Sequence, residues 1–147
     1  MKSKATVAVS NSVATAPNGQ SFSPDGSTLY VSDSNFTACR PLEHHAVSVR
    51  NIWAFDVSGS SLSSPRLIYH TGGGWPDGLQ VTKDGYLTIA ALGGVDVVDP
   101  KSEKLLGNVN TPGDIIFNLE RRPQRVDQRM WLLTGRGFIY KVLIRAL

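Results

Sequence analysis

The chain has 147 residues, 41% of them hydrophobic and 18% charged, the length and balance of one soluble globular domain rather than a disordered segment. A net charge of +3 and an isoelectric point near 9.2 are too mild to mark nucleic acid or a membrane surface as a partner. No apolar run approaches the roughly 20 residues that cross a bilayer. Met1 to Thr6 carry charge with no apolar segment behind them, so no signal peptide is read; the compartment stays open, the cytoplasm by default and secretion if the true N-terminus lies upstream of Met1.

Taken in chain order, the predicted elements are all strands. Thr28 to Ser32 alternates apolar and polar residues. From Val47 the odd positions run Val47, Val49, Asn51, Trp53, Phe55 and Val57, a two-residue period with one lapse at Asn51. Tyr86 to Ala90, Val95 to Val98 and Phe138 to Val142 follow the same rule. Pro24-Asp25-Gly26, Asp84-Gly85, Gly93-Gly94, Asp99-Pro100 and Gly135-Arg136-Gly137 separate them as turns. No segment has helical spacing with caps. Short, evenly spaced strands suggest a sandwich, a barrel or a propeller.

An internal repeat decides among these. Residues 17 to 31 read PNGQSFSPDGSTLYV and residues 76 to 89 read PDGLQVTKDGYLTI. Each gives Pro, then Asn or Asp, then Gly, a short strand, an Asp-Gly turn and a second strand. A fainter third copy takes Ile115-Ile116-Phe117 as its first strand and Met130 to Leu133 as its second, which puts Phe22, Val81 and Phe117 at one equivalent site. Ile52 to Val57, Val95 to Val98 and Phe138 to Val142 supply third strands. Arg66 to Tyr69 and Leu105 to Val109 supply fourth strands in the first two units. Four antiparallel strands per repeat make a propeller blade. The expected architecture over residues 1–147 is therefore all-β, between two and three four-stranded blades of a larger ring. Uncovered blade edges invite self-association of copies.

Asn18 and Asp77 are the residues to single out. Each precedes the innermost strand of its blade, so both side chains can point at the central channel from one end. An amide oxygen and a carboxylate suit a hard divalent cation. The plain alternative is that Asn-Gly and Asp-Gly are turn dipeptides in which Gly supplies positive φ. Two triplets at the same phase of a repeat weaken that alternative. Asp25-Gly26 and Asp84-Gly85 read as ordinary hairpin turns.

With Pro17-Asn18-Gly19-Gln20-Ser21-Phe22-Ser23-Pro24-Asp25-Gly26, then Leu29 to Ser34, then Pro76-Asp77-Gly78-Leu79-Gln80-Val81 and Asp84-Gly85, the repeat resembles the C-terminal half of the SMP-30/gluconolactonase/LRE-like family of six-bladed propellers. That resemblance implies one divalent metal (Ca, Zn, Mg or Mn), held by a first-blade Glu, an Asn like Asn18 and an Asp like Asp77. It implies a metal-dependent hydrolase that opens a small or sugar-like lactone to its hydroxy acid, with Asp77 as general acid and base. Glu43, Glu103 and Glu120 stand in the wrong repeats for the missing ligand, so the chain is expected to carry only part of the site. The alternative is a non-catalytic fragment, a Ca²⁺-binding unit or an interaction scaffold.

Other residues carry less. His70 and Trp75 lie close to Asp77 in sequence; Trp75 either stacks on a ring-shaped substrate or caps the blade. His44 and His45, adjacent in an inserted loop over 35–50, point to opposite sides if extended. Cys39 is alone, so there is no intrachain disulfide or thiolate cage. Asn35-Phe36-Thr37 is a glycosylation triplet or a chance one. Asp33 is placed at the channel mouth without being assigned as a ligand. Arg121, Arg122, Arg125 and Arg129 are read as a solvated hairpin loop, not a nucleic-acid surface. The glycines at 72–74 lack the Gly-Lys-Ser/Thr ending of a phosphate loop, and no Gly-x-Ser-x-Gly is present.

Overall fold

A computed structural model describes residues 7–8, 12–34, 49–122 and 129–144. The described residues form ten strands: β1 (Pro17–Phe22), β2 (Thr28–Asp33), β3 (Asn51–Ser58), β4 (Ser61–His70), β5 (Leu79–Val81), β6 (Leu87–Asp99), β7 (Lys104–Ile115), β8 (Asn118–Arg122), β9 (Arg129–Thr134) and β10 (Ile139–Ile144). Among them no helix is long and apolar enough to cross a membrane. Three antiparallel sheets result, ordered β1-β2-β3-β4, β5-β6-β7 and β8-β9-β10. The first strands of successive sheets lie side by side, β1 against β5 and β5 against β8. This is the arrangement of blades around an axis, and the architecture is part of a propeller.

The sheets hold together face to face. Tyr30, Ile52, Ala54 and Ile68 of the first sheet meet Leu79, Val81, Leu87, Ile89 and Val98 of the second. Ala90, Val95 and Val97 of the second meet Leu119, Trp131 and Leu133 of the third, with Ile116 between. Fully burying a large aliphatic or aromatic side chain contributes about 1.5–3 kcal/mol, so these two layers are the main cohesion between blades. The period of two shows in the third sheet: Trp131 and Leu133 are buried, while Leu132 between them is exposed.

Turn chemistry explains the hairpins. Gly26 and Gly85 have φ of 73° and 91°, a conformation that glycine adopts without a Cβ penalty. Two expectations change. The strands expected over 86–90 and 95–98 run as the single element β6, which changes partner within itself. Leu87 to Ile89 pair with β5, and Gly94 to Asp99 pair with β7. Gly93 and Gly94, at φ 82° and 147°, flip the parity of the inward residues. Leu87 and Ile89 face the first core layer before them, Val95 and Val97 the second layer after them. The second sheet thus has three elements rather than four, and the third has the expected three.

The third repeat also starts later than its apolar residues suggest. Its first strand is β8, not Ile115–Phe117. Phe117 N donates to Thr134 O at 2.8 Å just as Asp77 N donates to Ala90 O at 2.8 Å. Phe117 therefore stands at the phase of Asp77, and Arg121 at that of Val81. Cys39, His44, His45, Glu43, Arg125 and the triplet at 35–37 lie outside the described residues.

Candidate functional site

Asn18 lies within β1 where the pairing with β2 shifts between Pro17 and Gln20. Such an irregularity re-aims a side chain out of the sheet's alternation. Asp77 lies two residues before β5. Because β1 and β5 are neighbours, the Asn18 amide comes near enough to the Asp77 carboxyl to favour its charged form. Partial burial pushes the Asp77 carboxyl above its ordinary range, and Asn18 pulls it back in part.

The glycine after each of these residues has a different role from a turn glycine. Neither Gly19 nor Gly78 has positive φ. A Cβ on Gly19 would run into Asp77 O and the backbone N of Leu79 at 2.7 Å, and one on Gly78 would strike the Asn118 amide and its Cα at 2.8 Å. The glycines are what lets neighbouring blades approach backbone to backbone. Gly78 N donates to Phe117 O at 2.8 Å across that approach.

Between the first two blades one link beneath the site is a side chain, Ser32, which sequence reasoning missed. Its buried Oγ accepts from Gly19 N at 2.7 Å and donates to Asp77 O at 2.7 Å. One hydroxyl therefore ties the residue after Asn18 to the backbone of Asp77. Removing it in Ser32→Ala leaves a buried N–H and C=O without that partner, a cost of about 1–3 kcal/mol. Thermal unfolding will show the loss, and amide shifts of Gly19 and Gly78 will move more than those of the third sheet.

The other sequence candidates disperse. Asp33 is buried and takes Thr15 N at 2.9 Å and Ala16 N at 2.7 Å, pinning the segment before β1. His70 ends β4, and its Nδ1 lies 3.0 Å from Asn51 Oδ1. Trp75 is half-buried in the connection before Asp77. Glu103 occupies the turn after β6 at φ 59°, and Glu120 lies exposed in β8. Arg121 is not in a solvated loop; it belongs to β8 and donates from Nη2 to Val81 O at 2.6 Å. Phe117, at the phase of Asp77, is 40% exposed and adds an apolar neighbour to this end of the sheets. Among the described residues, no group of three or more His, Cys, Asp or Glu side chains comes together to hold a metal. Asn18 and Asp77 offer two oxygen donors.

A second polar network sits at the same end of the sheets, before β8 and after β9. Buried Asp114 takes Ile115 N at 2.7 Å and Arg136 N at 3.1 Å on one oxygen, and the Tyr140 hydroxyl at 2.7 Å on the other. These bonds, the tyrosine's first, hold the carboxyl below its ordinary range. A depressed folded pKa stabilises above the ordinary carboxylate value and is lost as pH falls through the lower one. Tyr140→Phe will therefore move the acid loosening of the Gly135–Gly137 turn to higher pH, as read from the Arg136 amide.

With the geometry in place, comparison with known proteins gives the class. A family model described as the SMP-30/gluconolactonase/LRE-like region matches residues 1–119, and the chain belongs to that family. It is 37% identical over 103 residues to lactonohydrolase oryH of Aspergillus oryzae, covering 61% of this chain and 22% of that protein. It is 31% identical over 111 residues to a gluconolactonase of Zymomonas mobilis, covering 69% of this chain and 28% of that protein. A solved gluconolactonase from Xanthomonas campestris superposes with a TM-score of 0.66 at 30% identity, over 87% of this chain and 38% of the other. A calcium-binding regucalcin from Agrobacterium tumefaciens, 18% identical, shares the fold with a TM-score of 0.62 over 81% of this chain and 38% of the other. The chain thus spans about a quarter of the curated relatives it matches.

Proposed function

We propose that this chain carries the metal-binding and proton-handling part of a lactone hydrolase of the gluconolactonase type. The observation that supports this most directly is the meeting of Asn18 and Asp77 side chains across the first blade boundary. Oxygen donors of this kind fit a hard divalent cation, Ca²⁺, Mg²⁺ or Mn²⁺ more than Zn²⁺. Held by Asn18 Oδ1 and the Asp77 carboxylate, such an ion supplies Lewis-acid polarisation of the lactone carbonyl.

The chain's own residues supply the rest. A carboxylate oxygen of Asp77 accepts a proton from water as the water oxygen bonds to the lactone carbonyl carbon. When the ring C–O bond breaks, Asp77 returns that proton to the departing ring oxygen, and the product is the hydroxy acid. Asn18 orients the carboxylate, and Ser32 fixes the backbone beneath both. Hydrolysis of glucono-lactone followed by pH-stat, in the unaltered chain and in Asp77→Ala, tests the reading. Metal-dependent acid release that disappears in the variant supports it. Cation binding without acid release assigns the calcium-binding scaffold instead.

A further inference from the structure

Of all the asparagines in the chain, only Asn18 is followed by a glycine. Glycine brings no side chain to shield its backbone nitrogen, so that nitrogen can reach the side-chain carbonyl carbon before it. Asn51, Asn108 and Asn110 precede Ile52, Val109 and Thr111, whose branched side chains crowd the same approach. Asn18 is also exposed, so water reaches its amide.

The glycine N–H is engaged at each of the links Asn18-Gly19, Asp25-Gly26, Asp77-Gly78 and Asp84-Gly85, but not by the same kind of acceptor. Gly26 N donates to Ser23 O and Gly85 N to Thr82 O, both at 2.9 Å, and Gly78 N donates to Phe117 O at 2.8 Å. Those three acceptors are backbone carbonyls. Gly19 N donates instead to a side chain, Ser32 Oγ, at 2.7 Å. The same hydroxyl donates to Asp77 O at 2.7 Å, and a hydroxyl that donates is the stronger acceptor. Ser32 is 0% exposed, so water does not compete for it. The asparagine link is thus the one whose glycine nitrogen is guarded by a group that a substitution can remove.

We propose that Asn18 is a latent deamidation site and that Ser32 holds it closed. In the reaction Gly19 N bonds to Asn18 Cγ and the Cγ–Nδ2 bond breaks. The amide nitrogen leaves as ammonia, taking the proton that Gly19 N gives up. The five-membered imide then takes up one water. Opening of the new N–Cγ bond gives aspartate at position 18. Opening of the original peptide bond gives isoaspartate, with the chain rerouted through Cγ. Water is the one co-reactant. A Gly19 N–H engaged by Ser32 keeps its proton, so ring closure waits for that bond to open. Either product exchanges the neutral neighbour of Asp77 for an acid, and isoaspartate lengthens the backbone where β1 already shifts its register. The inference concerns these atoms alone and stands whether or not the chain hydrolyses lactones.

Incubation in warm neutral buffer, followed by peptide mass spectrometry at position 18, tests it in the unaltered chain, Ser32→Ala, Ser32→Cys and Tyr69→Phe. Ser32→Ala is expected to deamidate about tenfold faster than the unaltered chain, the effect of losing one hydrogen bond. Ser32→Cys, of nearly the same shape but with a weak acceptor, is expected to accelerate the reaction less, and it decides the matter if Ser32→Ala does not fold. Tyr69→Phe removes a different bond between the first two blades, the tyrosine hydroxyl to Asp96 at 3.1 Å, and is expected to leave the rate unchanged. Equal rates in the unaltered chain and the folded Ser32 variants would overturn the proposal. So would equal acceleration in Tyr69→Phe, which would assign the protection to the fold as a whole.

Discussion

On the proposed lactonase reading, replacing Asp77 with asparagine is expected to lower kcat for lactone hydrolysis by about 10²–10⁴-fold, the usual contribution of a positioned general acid–base, while leaving the fold intact. The side chain keeps its size. Stability will stay constant or rise. The folded pKa of Asp77 lies above its ordinary value because burial disfavours the charged form. Ionised above that folded pKa, the carboxylate therefore destabilises the native state relative to the unfolded chain, and the neutral amide removes that penalty. Measuring kcat by pH-stat alongside thermal unfolding by circular dichroism separates the two effects. A loss of activity accompanied by a comparable loss of stability would assign Asp77 to the scaffold rather than to the chemistry.

Gly19→Ala will have the larger effect on stability. The added methyl meets Asp77 O and Leu79 N, both backbone atoms that cannot rotate away as a side-chain tip would. The first blade must shift from the second, and the cost is about 1–3 kcal/mol or more, as for overpacking in a core. For a chain of this length that corresponds to roughly 2–4 °C of melting temperature per kcal/mol. The same shift separates Asn18 from Asp77 and breaks both Ser32 bonds at 2.7 Å, so affinity for a divalent cation will fall with stability. Gly26→Ala gives the contrast. A Cβ there meets nothing, and only its φ of 73° is strained, so it will lose some stability without losing cation affinity.

That contrast shows which parts of the molecule were legible in the sequence. The Asp-Gly hairpins at 25–26 and 84–85 can be read locally, because a turn states its backbone demand in two residues. The blade pattern can be read because period two repeats. Asn18 and Asp77 emerge from repeat phase. Their glycines, however, look like turn glycines and are close-approach glycines, since the partner atoms come from another blade. Phase fails in the third repeat because Ile115 to Phe117 is apolar enough to pass for a strand, and no Pro-x-Gly marks the true start at Asn118. Ser32 gives no signal: one serine in an alternating strand is expected on either face. Asp114, Arg136 and Tyr140 are separated by 22 and 26 residues in their hydrogen bonds, and no spacing rule connects them. Arg121 reads as solvated until the fold brings Val81 O to its guanidinium.

Calorimetric titration of Ca²⁺ and Mn²⁺ into the unaltered chain, Asn18→Ala and Asp77→Ala probes the shared-cation idea most directly. The expected result is saturable binding with one ion per chain, weakened in Asn18→Ala and lost in Asp77→Ala. Absence of heat at millimolar metal, or binding indifferent to both substitutions, would contradict it.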